Sequence, residues 1–347
     1  MGNPQPPDAP VSPAGVDPSS AGKAAEGFLF DEEGLLPARE GGGGLYRVGK
    51  NGVRQILTTG DGKVDFICRE DGRTLAYVHS KMGYPALYPL HPARIEKPIE
   101  AVLVDLDGTS VRSETFWVWI IEQTTAALLG DSKFMLEEAD LPYVSGHSVS
   151  EHLKHCIDKY CPDKTVEEAR RHYFEITHRE MEAILEGRGR ADAFVPTEGL
   201  KDFLLALKAR RIKIGLVTSG LYEKAWPEIY AAFQQLELGD PREFYDAIIT
   251  AGYPIRKGET GTLGELEPKP HPWLYAEVAR VGLGIEFSQR SRVVGIEDSG
   301  AGVVAIRLAG FATIGLAGGN IHESGTRSLC SHFCLTLGEV LEVLTCE

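Results

Sequence analysis

The sequence predicts an α/β protein in which a helical insertion interrupts a parallel sheet and a small antiparallel β unit precedes that sheet. From Glu100 onward, short apolar runs rich in β-branched residues alternate with amphipathic segments, which is typical of successive βα units. The segment from Ser113 to about Arg190 contains no convincing strand and separates the first two of these runs. Before Glu100, short strand-like segments alternate with turn signals and indicate the antiparallel unit.

Residues 1–44 are rich in proline and glycine and contain few aromatic or β-branched residues. Because such a composition cannot build an apolar core, we expect most of this stretch to be a disordered arm. Residues 45–95 contain the strand-like segments, which are separated by turn signals such as Asp61-Gly62 and Asp71-Gly72. Since a few short strands bury little surface, this unit should pack against the larger domain or against a partner.

The remainder of the chain contains the predicted parallel sheet and its insertion. Capping-box patterns at Ser148 with Glu151 and at Thr165 with Glu168 indicate two helix starts inside the insertion. The candidate strands are residues 101–104, 212–217, 247–249, 293–296 and 312–315. These patterns divide the chain into an arm (1–44), a β unit (45–95), an α/β domain (96–112 and 191–347) and a helical insertion (113–190).

Composition and charge exclude several classes of function. The 347 residues include 36 Lys and Arg against 50 Asp and Glu, a formal net charge of −14, which disfavours sequence-independent binding to nucleic acid or to an anionic membrane. No apolar run approaches the roughly 20 residues that cross a bilayer, and the N-terminus lacks a signal-peptide pattern, so we expect a cytoplasmic protein. The six scattered cysteines do not form a disulfide framework. The oligomeric state stays open.

Acidic pairs follow two of the predicted strands. Asp105 and Asp107 come directly after the first strand, and Glu297 and Asp298 follow the strand at 293–296. A lone Asp-Gly pair after a strand is ordinarily a turn, but two aspartates one residue apart need different partners. In an open parallel sheet the ligands bind beyond the carboxyl ends of the strands, so these carboxylates should meet at one edge. They would repel one another unless a hard cation neutralised them, and oxygen donors suit Mg²⁺.

Two further segments offer groups that bind phosphate oxygens. Thr218 and Ser219 end the second strand and Gly220 follows, which supplies hydroxyls and free backbone N–H groups at a helix start. Lys269 stands between Pro268 and Pro270, and these prolines limit the freedom of the backbone around it. Taken singly, each feature has an ordinary alternative, a polar turn or an exposed loop lysine.

Together, the DLDGT segment at 105–109, Thr218, Lys269 and the acidic pair at 297–298 resemble the haloacid dehalogenase superfamily, with the same order and strand context. The resemblance covers residues 100–347 and is close throughout the segment VGIEDSGAGVVAIRLAG. It implies a Rossmann-like parallel sheet with helices on both faces. The helical insertion resembles the mobile cap of the phosphoglycolate phosphatase and β-phosphoglucomutase branch, which closes over the substrate and excludes water.

The resemblance also implies a role for each site residue. Asp105 would attack phosphorus and form an aspartyl phosphate, while Asp107 would protonate the leaving group and then activate water. The second aspartate argues for phosphoryl chemistry, because carbon–halogen hydrolases of the superfamily lack it. The implied ligands for Mg²⁺ are Asp105, the Asp107 backbone carbonyl and Asp298, with Glu297 either binding the metal directly or contacting its ligands. The implied partners of the phosphate oxygens are Thr218, Ser219 and Lys269.

Two residues near the expected mouth of the site are candidates for substrate specificity. Arg112 follows the DLDGT segment and either binds a second anionic group of the substrate or points to solvent. His147 lies in the part of the insertion that faces the active site in the family, and its alternative is a loop histidine without a ligand.

The leading hypothesis is Mg²⁺-dependent hydrolysis of a small phosphorylated metabolite, a phosphate monoester. A phosphomutase of the β-phosphoglucomutase type is the nearest alternative, because it shares Asp105 and Asp107. A non-catalytic binding or regulatory module is the second alternative. Because all these residues lie between Asp105 and Asp298, we expect the region up to about Ala93 to be dispensable for the chemical step.

Overall fold

The computed structural model describes residues 34–79, 85–144, 149–190, 192–250 and 268–346. Within these ranges, a five-stranded antiparallel sheet precedes a six-stranded sheet in which all neighbouring strands are parallel. A group of helices is inserted after the first strand of the parallel sheet. The predicted α/β fold is therefore confirmed. None of the described helices combines the length and the apolar composition needed to cross a bilayer.

The N-terminal sheet has the strand order β1-β4-β5-β6-β7, and β2 and β3 form a separate two-stranded ribbon. In chain order, the strands of the sheet and of the ribbon are β1 (Leu36–Ala38), β2 (Glu40–Gly41), β3 (Tyr46–Arg47), β4 (Val53–Thr58), β5 (Val64–Arg69), β6 (Thr74–Val78) and β7 (Ala86–Pro89).

Residues 34–44, the described end of the stretch that we expect to be mostly a disordered arm, contain strands and a turn. β1 pairs antiparallel with β4, and Leu35 just before it is buried. The glycine run that suggested a linker forms the turn between β2 and β3, where Gly42, Gly43 and Gly44 have φ angles of 62°, 65° and 86°. Glycine adopts such angles without steric cost, so this composition encodes a tight turn here.

The parallel sheet has the order β12-β11-β8-β13-β14-β15. The elements from β8 onward are β8 (Ala101–Asp105), β9 (Val111–Arg112), α1 (Glu114–Leu129), α2 (Leu141–Val144), α3 (Val149–Tyr160), α4 (Val166–Leu185), β10 (Val195–Pro196), α5 (Leu200–Ala209), β11 (Lys213–Val217), α6 (Tyr222–Leu236), α7 (Pro241–Phe244), β12 (Ala247–Ile249), α8 (Trp273–Glu277), β13 (Val293–Glu297), α9 (Gly300–Leu308), β14 (Ala312–Leu316), β15 (His332–Cys334) and α10 (Leu337–Thr345). Five of the six parallel strands match their predicted ranges to within one residue at each end. The short edge strand β15 is the one that the sequence analysis missed.

The central strand β8 is buried on both faces, as expected for a parallel sheet covered by helices. Val102 and Val104 belong to an apolar cluster that includes residues of α5, whereas Ala101 and Leu103 belong to a second cluster that includes residues of α8. In register, Val217 of β11 stands opposite Asp105. The neighbouring strands therefore end at one edge, which is where the sequence places the acidic pairs.

Helices α1 to α4 form the insertion. α4 begins at a predicted capping box, in which the Glu168 N–H donates to Thr165 Oγ1 at 3.2 Å and the Thr165 N–H donates to the Glu168 carboxylate at 2.9 Å. The other predicted helix start, at Ser148, lies outside the described residues, and α3 is described from Val149. Where the chain enters and leaves the insertion, β9 and β10 pair antiparallel, so both crossings lie in one ribbon.

The N-terminal sheet packs against α9 of the α/β domain. Phe66 and Val78 of the sheet share one apolar cluster with Val304 and Leu308 of α9, and all four side chains are buried. Burial of such side chains is worth roughly 1.5–3 kcal/mol each, so the contact stabilises both parts. The two units thus share a core. The domain boundaries stay predictions.

Candidate active site

The site begins at the tight loop that follows β8. The Val111 N–H donates to Leu106 O at 2.9 Å, and the Gly108 N–H donates to Val111 O at 2.8 Å. The Ser110 hydroxyl also donates to Asp105 O at 2.6 Å. These bonds fix the backbone around Asp105 and Asp107 before any ligand binds.

Gly108 allows a close approach within this loop. Its φ angle is +85°, and a Cβ atom added there would overlap the Asp298 carboxylate. Thr109, the next residue, donates its hydroxyl to Asp298 Oδ1 at 3.3 Å. The loop after β8 and the loop after β13 therefore pack directly on each other, with glycine required at the contact.

Three of the four acidic residues predicted to bind Mg²⁺ are brought together. Asp105, Glu297 and Asp298 are all buried, and each offers a carboxylate oxygen within 4.8 Å of the others. The Asp107 carboxylate is not part of this group, because its Oδ2 accepts a hydrogen bond from Thr218 Oγ1 at 3.0 Å. Its side chain is also more exposed than those of the other three.

Lys269 forms ion pairs with two of these three carboxylates. Its Nζ donates to Asp105 Oδ1 and, at 2.5 Å, to Glu297 Oε1, and its side chain is only 8% exposed. The Lys269 backbone N–H donates to Ser219 Oγ at 3.2 Å. The alternative of an exposed loop lysine is therefore wrong, since Lys269 is buried and ion-paired.

Hydrogen bonds occupy both carboxylate oxygens of Glu297. Besides Lys269, the Tyr275 hydroxyl donates to Oε1 at 3.1 Å. The Ser299 N–H and hydroxyl both donate to Oε2 at 2.9 Å. Glu297 is thus held on two sides and in turn fixes the position of the Lys269 ammonium group.

The hydroxyl groups predicted to bind phosphate already have partners. Thr218 is fully buried, and its Oγ1 accepts from the Gly220 N–H at 2.9 Å while donating to Asp107. The Ser219 hydroxyl accepts from the Lys269 backbone. Both residues therefore position other parts of the site. Thr218 positions the Asp107 carboxylate, and Ser219 positions the Lys269 loop (residues 268–272).

Burial and mutual repulsion shift the pKa values of these groups. Burial, followed by the neighbouring Glu297, raises the pKa of Asp105 well above its usual range and raises that of Asp298 to about 7. Burial alone would lower the pKa of Lys269, but Asp105 and Glu297 raise it well above its usual value. The group thus has more carboxylates than Lys269 can neutralise.

This donor set fits a hard divalent cation. It consists of buried oxygen donors that repel one another, and a cation of charge +2 would relieve that repulsion and let the carboxylates ionise. Mg²⁺ prefers such oxygen ligands over nitrogen or sulfur. A magnesium site is therefore chemically compatible with the residues present.

The described residues give no support to either specificity candidate. Arg112 lies on β9 with an exposed side chain, and among the described residues it forms no ion pair. His147 lies outside the described residues. Both assignments stay predictions.

The sequence analysis missed two buried residues at the site. Tyr275 lies in the first turn of α8, and no sequence pattern marks its hydroxyl as a partner of Glu297. For Glu228, the sequence does contain a pattern that could have identified it. It stands in α6 among the buried residues Ala225, Ile229 and Ala232, where an acidic residue interrupts an apolar stripe of helical spacing.

Glu228 is 1% exposed, and neither of its carboxylate oxygens has a hydrogen-bond partner of normal geometry among the described residues. Burial, followed by the charge of Asp107, raises its pKa well above the usual range, while Lys224 and Ser113 oppose the shift. A neutral carboxyl group beside Asp107 avoids placing a second negative charge there. We therefore expect folded Glu228 to retain its proton at pH values at which it would ionise in the unfolded chain.

The substitution Gly108→Ala should weaken Mg²⁺ binding by at least about tenfold, a loss of ~1.4 kcal/mol, because the new methyl group displaces Asp298. Gly239→Ala is the matched control, since Gly239 has a φ angle of +82° with no atom near its Cβ position. Both substitutions force alanine into the left-handed region at about 1–2 kcal/mol. Isothermal titration with Mg²⁺ measures the difference. Equal affinities in the two variants would show that the contact does not shape the metal site.

The substitution Glu228→Gln should stabilise the protein increasingly over the pH range that begins near 4.5, the ordinary pKa of a glutamate. The pKa of Glu228 is raised in the folded state, so the folded chain binds more protons than the unfolded chain, and the wild type loses stability through this range. Glutamine does not titrate. The measurement is the free energy of unfolding in urea with chelator present, with the exposed Glu223→Gln in the same helix as control. Parallel pH profiles for the wild type and Glu228→Gln would contradict the assignment.

Comparison with known proteins agrees with the fold. The haloacid dehalogenase-like hydrolase family matches residues 99–310. No curated protein sequence matched the chain.

Solved structures share the fold at low sequence identity. A putative β-phosphoglucomutase from Thermotoga maritima is 21% identical with a TM-score of 0.52, over 71% of this chain and 98% of that one. A predicted phosphoglycolate phosphatase from Haemophilus somnus is 17% identical with a TM-score of 0.52, over 71% and 97% of the two chains. Since the family match spans more than half of the sequence, the chain belongs to the haloacid dehalogenase-like hydrolases.

Proposed function

We propose that the protein hydrolyses a small organic phosphate monoester through a phosphoryl group carried on Asp105, with Mg²⁺ as cofactor. The observation that carries this proposal is the buried group of Asp105, Glu297 and Asp298 around the Lys269 ammonium at the carboxyl edge of the sheet. Open α/β sheets bind ligands at this edge.

Asp105 is the nucleophile in this proposal. One of its oxygens attacks phosphorus, and the bond between phosphorus and the leaving-group oxygen breaks. Lys269 donates to Asp105 Oδ1 and reduces the repulsion between the carboxylate and the anionic phosphate. Because Glu297 and Ser219 hold Lys269 in place, this positive charge is already positioned when substrate arrives.

Asp107 transfers the proton in both half-reactions. Its carboxyl group gives a proton to the departing oxygen, and its carboxylate then takes a proton from the water that attacks phosphorus. That second attack breaks the bond between Asp105 and phosphorus and releases inorganic phosphate. Thr218 donates to Asp107 Oδ2 at 3.0 Å and leaves the other oxygen, which is 3.5 Å from the Ser113 hydroxyl, less firmly held.

Asp105, Asp298 and the backbone carbonyl of Asp107 would hold Mg²⁺, which when bound neutralises charge on the transferring phosphoryl group. Glu297 has a different task, because its oxygens already accept hydrogen bonds from Lys269, Tyr275 and Ser299. It holds the ammonium group next to the nucleophile. This division of roles agrees with the hydrogen bonds of each carboxylate.

The test is a screen of phosphorylated metabolites for phosphate release, with and without Mg²⁺. We expect turnover that stops in chelator and returns with Mg²⁺. Asp105→Asn should lower kcat by at least about 10³-fold, because an amide is a poor nucleophile. Asp298→Asn should raise the Mg²⁺ concentration needed for half-maximal rate, while the exposed control Asp202→Asn should leave both quantities unchanged.

Each contrary outcome has a definite meaning. Full activity in excess chelator, or a folded Asp105→Asn variant that keeps more than a few per cent of kcat, would contradict the proposed mechanism. Isomerisation of a sugar phosphate without release of phosphate would identify the phosphomutase alternative. Binding without turnover would identify the non-catalytic module.

A further inference from the structure

We propose that Tyr88, in the N-terminal antiparallel sheet, is a positioning residue for Lys269. Tyr88 lies on β7, outside the segment 99–310 that the hydrolase family matches. The inference rests on the proposed function, because it takes Lys269 to act on Asp105 and on phosphate. It also replaces the sequence-based expectation that the region up to about Ala93 is dispensable for the chemical step.

The contact itself is direct. The Tyr88 hydroxyl lies 2.8 Å from His271 Nδ1, and the two rings meet edge to face with centroids 5.8 Å apart. His271 is only 4% exposed and Tyr88 is half-buried, so the hydrogen bond is partly shielded from water. The Tyr88 ring also meets the Trp273 ring edge to face at 6.2 Å. Tyr88 therefore contacts the residues two and four positions after Lys269.

A hydrogen bond within the Lys269 loop connects His271 to the turn that holds Lys269. The His271 N–H donates to Pro268 O at 3.1 Å, which closes a turn around Lys269. The next residues begin α8, which carries the Tyr275 hydroxyl that donates to Glu297. A shift of His271 would thus move both Lys269 and Tyr275, the two residues that bond Glu297 Oε1.

The sheet is a firm support for the Tyr88 hydroxyl. Tyr88 stands opposite Ala76 in the antiparallel register of β6 and β7, and Ala76 is fully buried. The same sheet packs against α9, and the Gly60 N–H donates to Ser324 O at 2.9 Å. Helix α9 begins at Gly300, two residues after Asp298. The sheet is therefore anchored beside the loop that carries Asp298, and it also contacts the Lys269 loop.

A small cavity lies where the N-terminal unit, the Lys269 loop and α9 meet. Thr59, which follows β4, lines it together with Pro270 of the Lys269 loop and Ala301 of α9. The N-terminal sheet thus bridges the two loops whose side chains form the Lys269 and Asp298 parts of the site. Small displacements of positioning groups can cost about 10²-fold in rate, so loss of this support should be visible in turnover.

The test compares Tyr88→Phe with Tyr77→Phe in the full chain. Tyr77 lies on the neighbouring strand β6, packed with Ile56 and Ile67 in a different apolar cluster from the one that contacts α9, so its variant loses the same hydroxyl away from the lysine loop. With p-nitrophenyl phosphate and saturating Mg²⁺, we expect Tyr88→Phe to lower kcat by about three- to tenfold without a matching fall in Tm. Tyr77→Phe should leave kcat unchanged.

A double mutant separates positioning from general destabilisation. In the His271→Ala background, Tyr88→Phe should change kcat by less than about 1.5-fold, because its partner is already gone. Equal effects of Tyr88→Phe in the wild type and in the His271→Ala background would overturn the proposal, as would a Tyr88→Phe variant that matches Tyr77→Phe.

Titration with inorganic phosphate gives a readout that does not depend on turnover. Tyr88→Phe should raise the Kd for phosphate by about threefold, whereas Tyr77→Phe should not change it. If the wild type turns over and Asp105→Asn is inactive while Tyr88→Phe behaves as Tyr77→Phe, the positioning role fails and the proposed function stands. If the wild type neither turns over nor binds phosphate, both fail.

Discussion

The burial of several carboxylates around one ammonium group is the constraint on which the rest of the structure depends. Asp105, Glu297 and Asp298 are placed at a buried edge where their charges repel, and Lys269 compensates them only in part. Such an arrangement costs stability unless hydrogen bonds hold it. The close packing of these carboxylates requires glycine at two neighbouring positions. A Cβ atom at Gly302 would overlap the Glu297 carboxylate, and one at Gly108 would overlap the Asp298 carboxylate.

The same constraint explains why the elements around the site are tied together at several points. The Lys269 loop is held by Ser219, by the carboxylates and by the contact between His271 and Tyr88. Each of these contacts helps to hold the Lys269 ammonium group next to the buried carboxylates. The N-terminal sheet belongs to this arrangement because it shares a core with α9 and also reaches the loop.

The sequence allowed much of the sheet and site to be predicted, because the relevant signals are local. β8 and β13 are apolar runs followed at once by acidic residues, and the carboxyl ends of parallel strands meet at one edge. The turn at the glycine run 41–44 could not be predicted, since a tight turn and a flexible linker have the same composition. The contact between Tyr88 and His271 joins residues 183 positions apart, and no local pattern encodes such a pairing.

The most direct test of this account is to trap the protein during turnover of p-nitrophenyl phosphate with Mg²⁺, by rapid acid quenching, and to map the phosphorylated residue by mass spectrometry. Asp105 is the one acidic residue of the site that both ends the central strand and bonds Lys269. The account predicts a phosphoryl group on the peptide that contains Asp105. A phosphoryl group on another residue, or steady phosphate release with Asp105 unmodified throughout, would contradict it.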